Sequence, residues 1–280
     1  MTTALKPIIS NLCLPATTQV DYFTAPQTRT TYPNGTSFDG IASINSGEES
    51  CRSAMHVFPH IQDQIAKYDG FLVACYSAHP LVGLIKKKIA EIEEEQQGRG
   101  EWDGKRRYVT GIFEASVSMS LSLISHFDVA FPSSSLDAAT QQAGPGKAIA
   151  PTSFGIITTG SIWKNELSNA VKAMLLKTTN NELSVFAGVQ TTGLSAIELH
   201  TTPAEEVERR IIAATERLIE ESNGTVGAIC LGCAGMSGLD AIVRRGCINA
   251  LGEVKGKKVF IVDGVIAGVG MLATACRAGY

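Results

Sequence analysis

The chain has 280 residues, 44% of them apolar and 18% charged, with a net charge of −3. A sizeable core can form, as one large domain or two modest ones. The weak negative charge offers no electrostatic case for nucleic acid or a membrane surface as partner, and no apolar run reaches the roughly 20 residues of a membrane span. Seven cysteines, an odd number, with no export signal in the first residues, point to free thiols in a reducing compartment, so a cytoplasmic protein is expected.

Residues 1–12 compose a helix limited by Pro7. Residues 17–23, with Val20, Tyr22 and Phe23, have strand composition. Residues 25–47, rich in Pro, Gly, Ser, Thr and Asn, read as a long loop. Residues 47–68 are helical in composition, divided at Pro59. The first strong strand, residues 71–75, ends at Cys75, after which Tyr76-Ser77-Ala78 turns and His79-Pro80 opens a helix over 81–95. The charged tract EEEQQGRGEWDGKRR alternates in sign and carries glycines, as a solvated loop does.

Residues 107–113 form the next strand and 114–126 the next helix. Residues 131–152 (FPSSSLDAATQQAGPGKAIAPT) are poor in bulky apolar side chains and read as a surface insertion near a domain junction. Strand 154–158 then ends in Thr158-Thr159-Gly160, and helix 162–176 follows. Strand 184–190 ends in Thr191-Thr192-Gly193. Thr202-Pro203-Ala204-Glu205 has the form of a capping box with proline at the first helical position. Its helix carries Val207, Ile211, Ala214 and Leu218 at helical spacing until Asn223-Gly224 stops it. Strand 226–231 leads to Gly232-Cys233-Ala234-Gly235, with a helix expected over 236–245. Strand 258–263 and a helix over 265–278 close the chain.

Short apolar strands alternating with helices mean parallel sheets covered on both faces, with ligands beyond the carboxyl ends of the strands. Those ends carry Cys75-Tyr76-Ser77, Glu114-Ala115, Thr158-Thr159-Gly160, Thr191-Thr192-Gly193, Cys233-Ala234-Gly235 and Asp263-Gly264. Such an edge is small, polar and neutral apart from two acids, and suits a small polar molecule better than a nucleotide. Cys75 and Cys233 each stand in a strand–loop–helix unit, where a helix N-terminus would favour thiolate and small residues would admit a ligand. Two facing thiols can remove a proton from one face of a carbon and deliver one to the other. The alternative for each is a buried structural cysteine.

Cys230 and Cys233 make a lone CxxC, weak evidence for a metal or redox site, and Cys230 falls inside the strand. Cys13, Cys51, Cys247 and Cys276 have no partner pattern and read as packing residues. Ser77, Thr158 and Thr159 are candidate donors to substrate carbonyls or plain turn and cap residues. His79 could polarise the Cys75 loop or simply start its helix. Glu114 could bind a ring N–H or cap a helix, and Asp263 could orient a loop. His200 reads as a surface residue. The glycines from Gly264 to Gly270 suit a closely packed helix better than a phosphate loop. No metal or cofactor is expected, and no lysine stands at a strand end for pyridoxal phosphate.

The stretches FLVACYSAHPLVG, TGIFEAS, FGIITTGSIWK, FAGVQTTGLSAIELH, ICLGCAGM and VDGVIAGV, in that order, resemble the aspartate/glutamate/hydantoin racemase superfamily. The likeness is nearest to its hydantoin and allantoin racemase branch, fungal members included, and covers most of residues 60–280. It implies an α/β fold of two pseudo-symmetric lobes, each a short, mostly parallel sheet flanked by helices, with the active site in the cleft between them. Residues 1–113 plus 264–280 would form the first lobe and 114–263 the second. The family pattern opens on a strand ending in an Asn-Pro-Asn loop. Residues 1–5 match the helix after that strand, so the first lobe is expected to be one strand short.

The resemblance also implies cofactor-independent racemisation by Cys75 and Cys233. Backbone N–H groups after each cysteine, from Tyr76 and Ser77 on one side and Ala234 and Gly235 on the other, would stabilise an enolate oxygen. With Thr158 and Thr159 these are the candidate substrate contacts. The expected function is racemisation of 5-substituted hydantoins or allantoin. Other reactions of the superfamily (amino-acid racemase, decarboxylase or isomerase) and a catalytically impaired protein that binds a small ureide stay open. The partner is a small-molecule substrate, and a homo-oligomer is expected.

Overall fold

A computed structural model describes residues 2–102, 104–124, 153–176 and 185–280. The insertion expected at 131–152 lies outside the described residues. Two parallel sheets organise the chain. In the larger, strands run in the order β6-β5-β7-β8, with β5 at Ser153–Thr158, β6 at Phe186–Thr191, β7 at Val226–Gly232 and β8 at Phe260–Asp263. In the smaller, β3 (Gly70–Val73) pairs with β4 (Tyr108–Gly111), Val73 opposite Gly111. A short hairpin, β1 (Thr30–Thr31) with β2 (Ser37–Phe38), interrupts the long loop read at 25–47.

Every residue of β5 and β7 is buried, as their unbroken apolar composition requires of central strands. Their side chains alternate between two cores. Phe154, Ile156, Ala228 and Cys230 face one, built with α4 (Ile112–Leu123) and α10 (Gly264–Ala278). Ile157, Ile229 and Leu231 face the other, with Val207, Ile211, Ala214 and Leu218 of α7 (Ala204–Glu221). A third core joins β3 to α2 (Gly47–Ile61) and α3 (Pro80–Gly98). The helices α4 and α10 pack on each other and on both sheets. Glycines permit that approach: a Cβ on Gly264 would lie 2.5 Å from the Ile112 carbonyl, and one on Gly268 would strike Leu72. The remaining helices are α1 (Thr2–Ser10), α5 (Ile162–Leu176), α6 (Glu198–Thr201), α8 (Asp240–Leu251) and α9 (Glu253–Gly256). Among the described residues, no helix is long and apolar enough to cross a membrane.

Several local expectations need correction. Residues 17–23 are not a strand; Val20 and Tyr22 pack against the core, but the segment pairs with no strand among the described residues. Pro59 does not divide its helix. The carbonyl of Met55, deprived of its helical donor by the proline, accepts the Tyr32 hydroxyl at 2.7 Å, and α2 runs on to Ile61 before a 3-10 helix at Gln62–Lys67. The Thr202 capping box does not form: Pro203 holds the cap position and no side chain bonds the first turn of α7. Strand β4 stops at Gly111, and Ile112 and Phe113 already belong to α4.

Candidate active site

Cys75 lies just past the carboxyl end of β3, half-buried. Its Sγ is 3.6 Å from Ser77 Oγ. Ser77 is itself buried and lies 3.3 Å from Ser50 Oγ near the start of α2. A line of hydroxyls thus joins the thiol to a neighbouring helix. His79 ends the loop as the cap of α3, its Nδ1 accepting the Leu81 N–H at 3.3 Å. Burial pulls the His79 pKa down to about 4, so the ring is neutral and Nδ1 keeps the lone pair that the cap needs. A cavity of about 350 Å³ adjoins this loop, lined by Ser50, Cys51, Ser77, Trp163 and Glu166 among others.

Cys233 occupies the matching position past β7. Thr158 Oγ1 donates to the Gly232 carbonyl at 2.6 Å and pins the loop's first residue. Gly232 has no room for a side chain, since a Cβ would lie 2.7 Å from the Ile157 carbonyl. The Gly235 N–H points at Cys233 Sγ, 3.3 Å away. Farther on, Ser237 Oγ donates to Asp263 Oδ1 at 3.0 Å, the same oxygen that caps α10 through the Val265 N–H at 2.8 Å. The loop is therefore tied to the end of β8 and the start of α10.

The helix expected over 236–245 starts later than that. Only a short 3-10 helix, Ala234–Met236, follows Cys233, and α8 begins at Asp240. The macrodipole acts within about one turn of a helix end, so it does not reach the sulfur. The expectation of lowered thiol pKa values falls with it. Burial pushes the Cys75 thiol up to about 11; Ser77 lowers it, while the nearby charges of Cys233 and Glu114 raise it further. Burial also raises Cys233, against which the backbone N–H groups of Gly235 and Met236 favour the thiolate. Desolvation outweighs the polar contacts at both sulfurs. Of the two, Cys233 has the better-supported anion: two N–H donors, against one hydroxyl and two negative neighbours for Cys75.

The other candidates divide. Ser77, Ala234 and Gly235 stand in the two cysteine loops. Tyr76 sends its side chain into the core, edge-on to Phe113 and 2.8 Å from Ser116 Oγ, so only its backbone faces the Cys75 loop. Thr158 spends its hydroxyl on Gly232, and Thr159 is buried with its carbonyl accepting the Gly193 N–H at 3.1 Å. Both hold strand ends in place. Cys230 is fully buried, its sulfur 3.1 Å from Ser120 Oγ. Of the cysteines read as packing residues, Cys247 is buried and Cys276 half-buried, but Cys13 and Cys51 are exposed.

Three groups gain importance only from the fold. His200 is exposed, as its sequence position suggested, yet a Cβ on Gly235 would lie 3.1 Å from its Nε2 and 3.6 Å from Cys233 Sγ. Glu114 Oε2 and Asp263 Oδ2 are buried without hydrogen-bond partners. Both acids were visible at strand ends, but an unmet oxygen leaves no trace in local sequence. Among the described residues, no group of His, Cys, Asp and Glu side chains could hold a metal ion.

A sequence profile of the Asp/Glu/Hydantoin racemase family matches residues 131–272. An uncharacterised protein of Schizosaccharomyces pombe is 27% identical over 277 residues, covering 99% of this chain and 87% of its own length. Among solved structures, allantoin racemase from Pseudomonas fluorescens aligns with a TM-score of 0.60 at 21% identity, over 99% of this chain and 88% of that one. Allantoin racemase from Klebsiella pneumoniae aligns with a TM-score of 0.54 at 20% identity, over 85% and 72% of the two chains. What these two structures share with the chain is the fold.

Proposed function

The chain belongs to the Asp/Glu/hydantoin racemase family, and from that premise we propose that it racemises a small cyclic ureide, a 5-substituted hydantoin or allantoin, without a cofactor. Cys75 and Cys233 are the two acid–base groups. What supports this reading is that two half-buried thiols each stand just past the carboxyl end of a strand, in different sheets, with Cys233 among the groups that raise the Cys75 pKa. Fold likeness to two allantoin racemases supports the choice of ureide.

Of the two sulfurs Cys233 is the one that ionises first, because the Gly235 and Met236 N–H groups offset part of its burial while Cys75 has negative neighbours. A thiolate removes the hydrogen from the carbon beside the ring carbonyl, and the enolate that forms is held by backbone N–H groups of the cysteine loops. The opposite thiol then returns a proton to the other face. One turnover exchanges the protonation states of the pair, so the product enantiomer is the natural substrate of the next cycle.

Enantiopure allantoin supplies the test. Optical rotation should decay above the uncatalysed rate, and in heavy water the enantiomer formed should carry deuterium before the starting enantiomer does. Cys75→Ala and Cys233→Ala should each lower interconversion by about 100-fold or more, the scale of a lost acid or base. Parental rates in either variant would end the two-thiol scheme.

A further inference from the structure

We propose that Glu114 is the acceptor for an N–H group of the bound ring, and that it makes the site select rings with a free N–H beside the reacting carbon. The inference rests on the ureide racemase reading and assigns that site's selectivity to one side chain.

Glu114 lies in the first turn of α4, immediately after β4. Gly111, at the end of that strand, pairs with Val73, two residues before Cys75. The carboxylate folds back over Gly111, where any side chain would collide with Oε2. It therefore covers the carboxyl edge of the strand next to the Cys75 loop, and its charge is felt at both Cys75 and Tyr76. Burial raises the Glu114 pKa, only partly offset by the backbone N–H groups of Glu114 and Gly111 and the charge of Lys86, and Oε2 remains buried with no partner.

A buried carboxylate oxygen without a donor is costly, and native structures rarely keep one for no purpose. As a helix cap, Glu114 would need only the oxygen that its backbone neighbours approach. The second oxygen is an acceptor waiting for a hydrogen. A hydantoin or allantoin ring presents one N–H beside the reacting carbon and a second between its two carbonyls. An N-alkylated ring or a lactone presents none at that point, and an α-amino acid would bring its own carboxylate against that of Glu114. The donor that completes Glu114 is thus a ring N–H.

Calorimetric titration decides the matter, using a 5-substituted hydantoin and its N1-methyl and N3-methyl derivatives against the parent protein, Glu114→Ala and Glu114→Gln. The N1-methyl ring, alkylated beside the reacting carbon, should bind the parent protein about 10- to 100-fold more weakly than the free N–H ring, the range for a hydrogen bond to a charged group. Glu114→Ala should lose about that factor on the free N–H ring and no longer distinguish the methylated one. Glu114→Gln, which keeps a carbonyl oxygen, should retain part of the discrimination. Binding of the N1-methyl ring as tight as that of the free N–H ring by the parent protein, or full discrimination in Glu114→Ala, overturns the proposal. If Glu114→Ala does not fold, as judged by its thermal midpoint, Glu114→Gln and the parent protein's own methyl discrimination decide. Racemisation is assayed separately. Turnover without Glu114-dependent discrimination removes the inference and leaves the function; discrimination without turnover does the reverse; and no binding of any ring removes both.

Discussion

The cap at His79 gives a sharp test of how burial shapes the Cys75 loop. His79 is 4% exposed and its Nδ1 accepts the Leu81 N–H, while burial lowers its pKa from 6.5 to about 4. The ring is therefore neutral when folded and free to take a proton when unfolded. Because the folded value is the lower one, the stability it contributes is present above the unfolded pKa and is lost as pH falls from 6.5 toward 4. Each pKa unit is worth about 1.4 kcal/mol. The whole window then amounts to about 3 kcal/mol, with about 2 kcal/mol of it lost between pH 7 and pH 5. His79→Asn keeps an acceptor suited to a helix cap and removes the titration. Urea unfolding of both chains at pH 7 and pH 5 supplies the assay. Carboxylates with lowered pKa values, such as Glu198, destabilise both chains as pH falls and cancel in the comparison. The parent chain should lose about 2 kcal/mol more than the variant over that interval. Equal losses would refute the claim that His79 is held neutral by burial.

Other consequences follow from the same geometry. Site-resolved alkylation, read by mass spectrometry across a pH series, should place Cys75 far above the ordinary thiol range, toward about 11, with Cys233 reacting first; the reverse order would contradict the assignment of Cys233 as the sulfur that ionises first. Thr158→Val strips the donor from the Gly232 carbonyl and should cost about 1–3 kcal/mol, with a lower kcat at little-changed KM because the Cys233 loop loses its anchor. Tyr76→Phe should cost about 1 kcal/mol, the worth of one hydrogen bond, and leave KM alone, since that hydroxyl is spent on Ser116; a tenfold rise in KM would place the hydroxyl against substrate after all. Gly264→Ala forces a methyl against the Ile112 carbonyl and should destabilise by about 1–3 kcal/mol, the usual cost of overpacking, measurable as a lower thermal midpoint.

Much of the architecture is written locally. The unbroken apolar runs behind β5 and β7, the helix at Ile162–Leu176, the Val207–Ile211–Ala214–Leu218 stripe of α7 and the two cysteines at strand ends all depend on residues near one another in the chain. Periodicity and turn chemistry reach that far. Whether residues 17–23 pair as a strand depends on a partner edge, and among the described residues they pair with none. The direction of the Tyr76 side chain was set by Phe113 and Ser116, some forty positions away in sequence. Most of all, thiol acidity was a property of the assembled fold. From sequence, a cysteine before a helix suggests an easy thiolate; in the folded chain, loss of water around both sulfurs and the charge of Glu114 beside Cys75 reverse that sign. Desolvation and through-space charge come from whatever three-dimensional packing brings close, so no reading of neighbours along the chain could have supplied them.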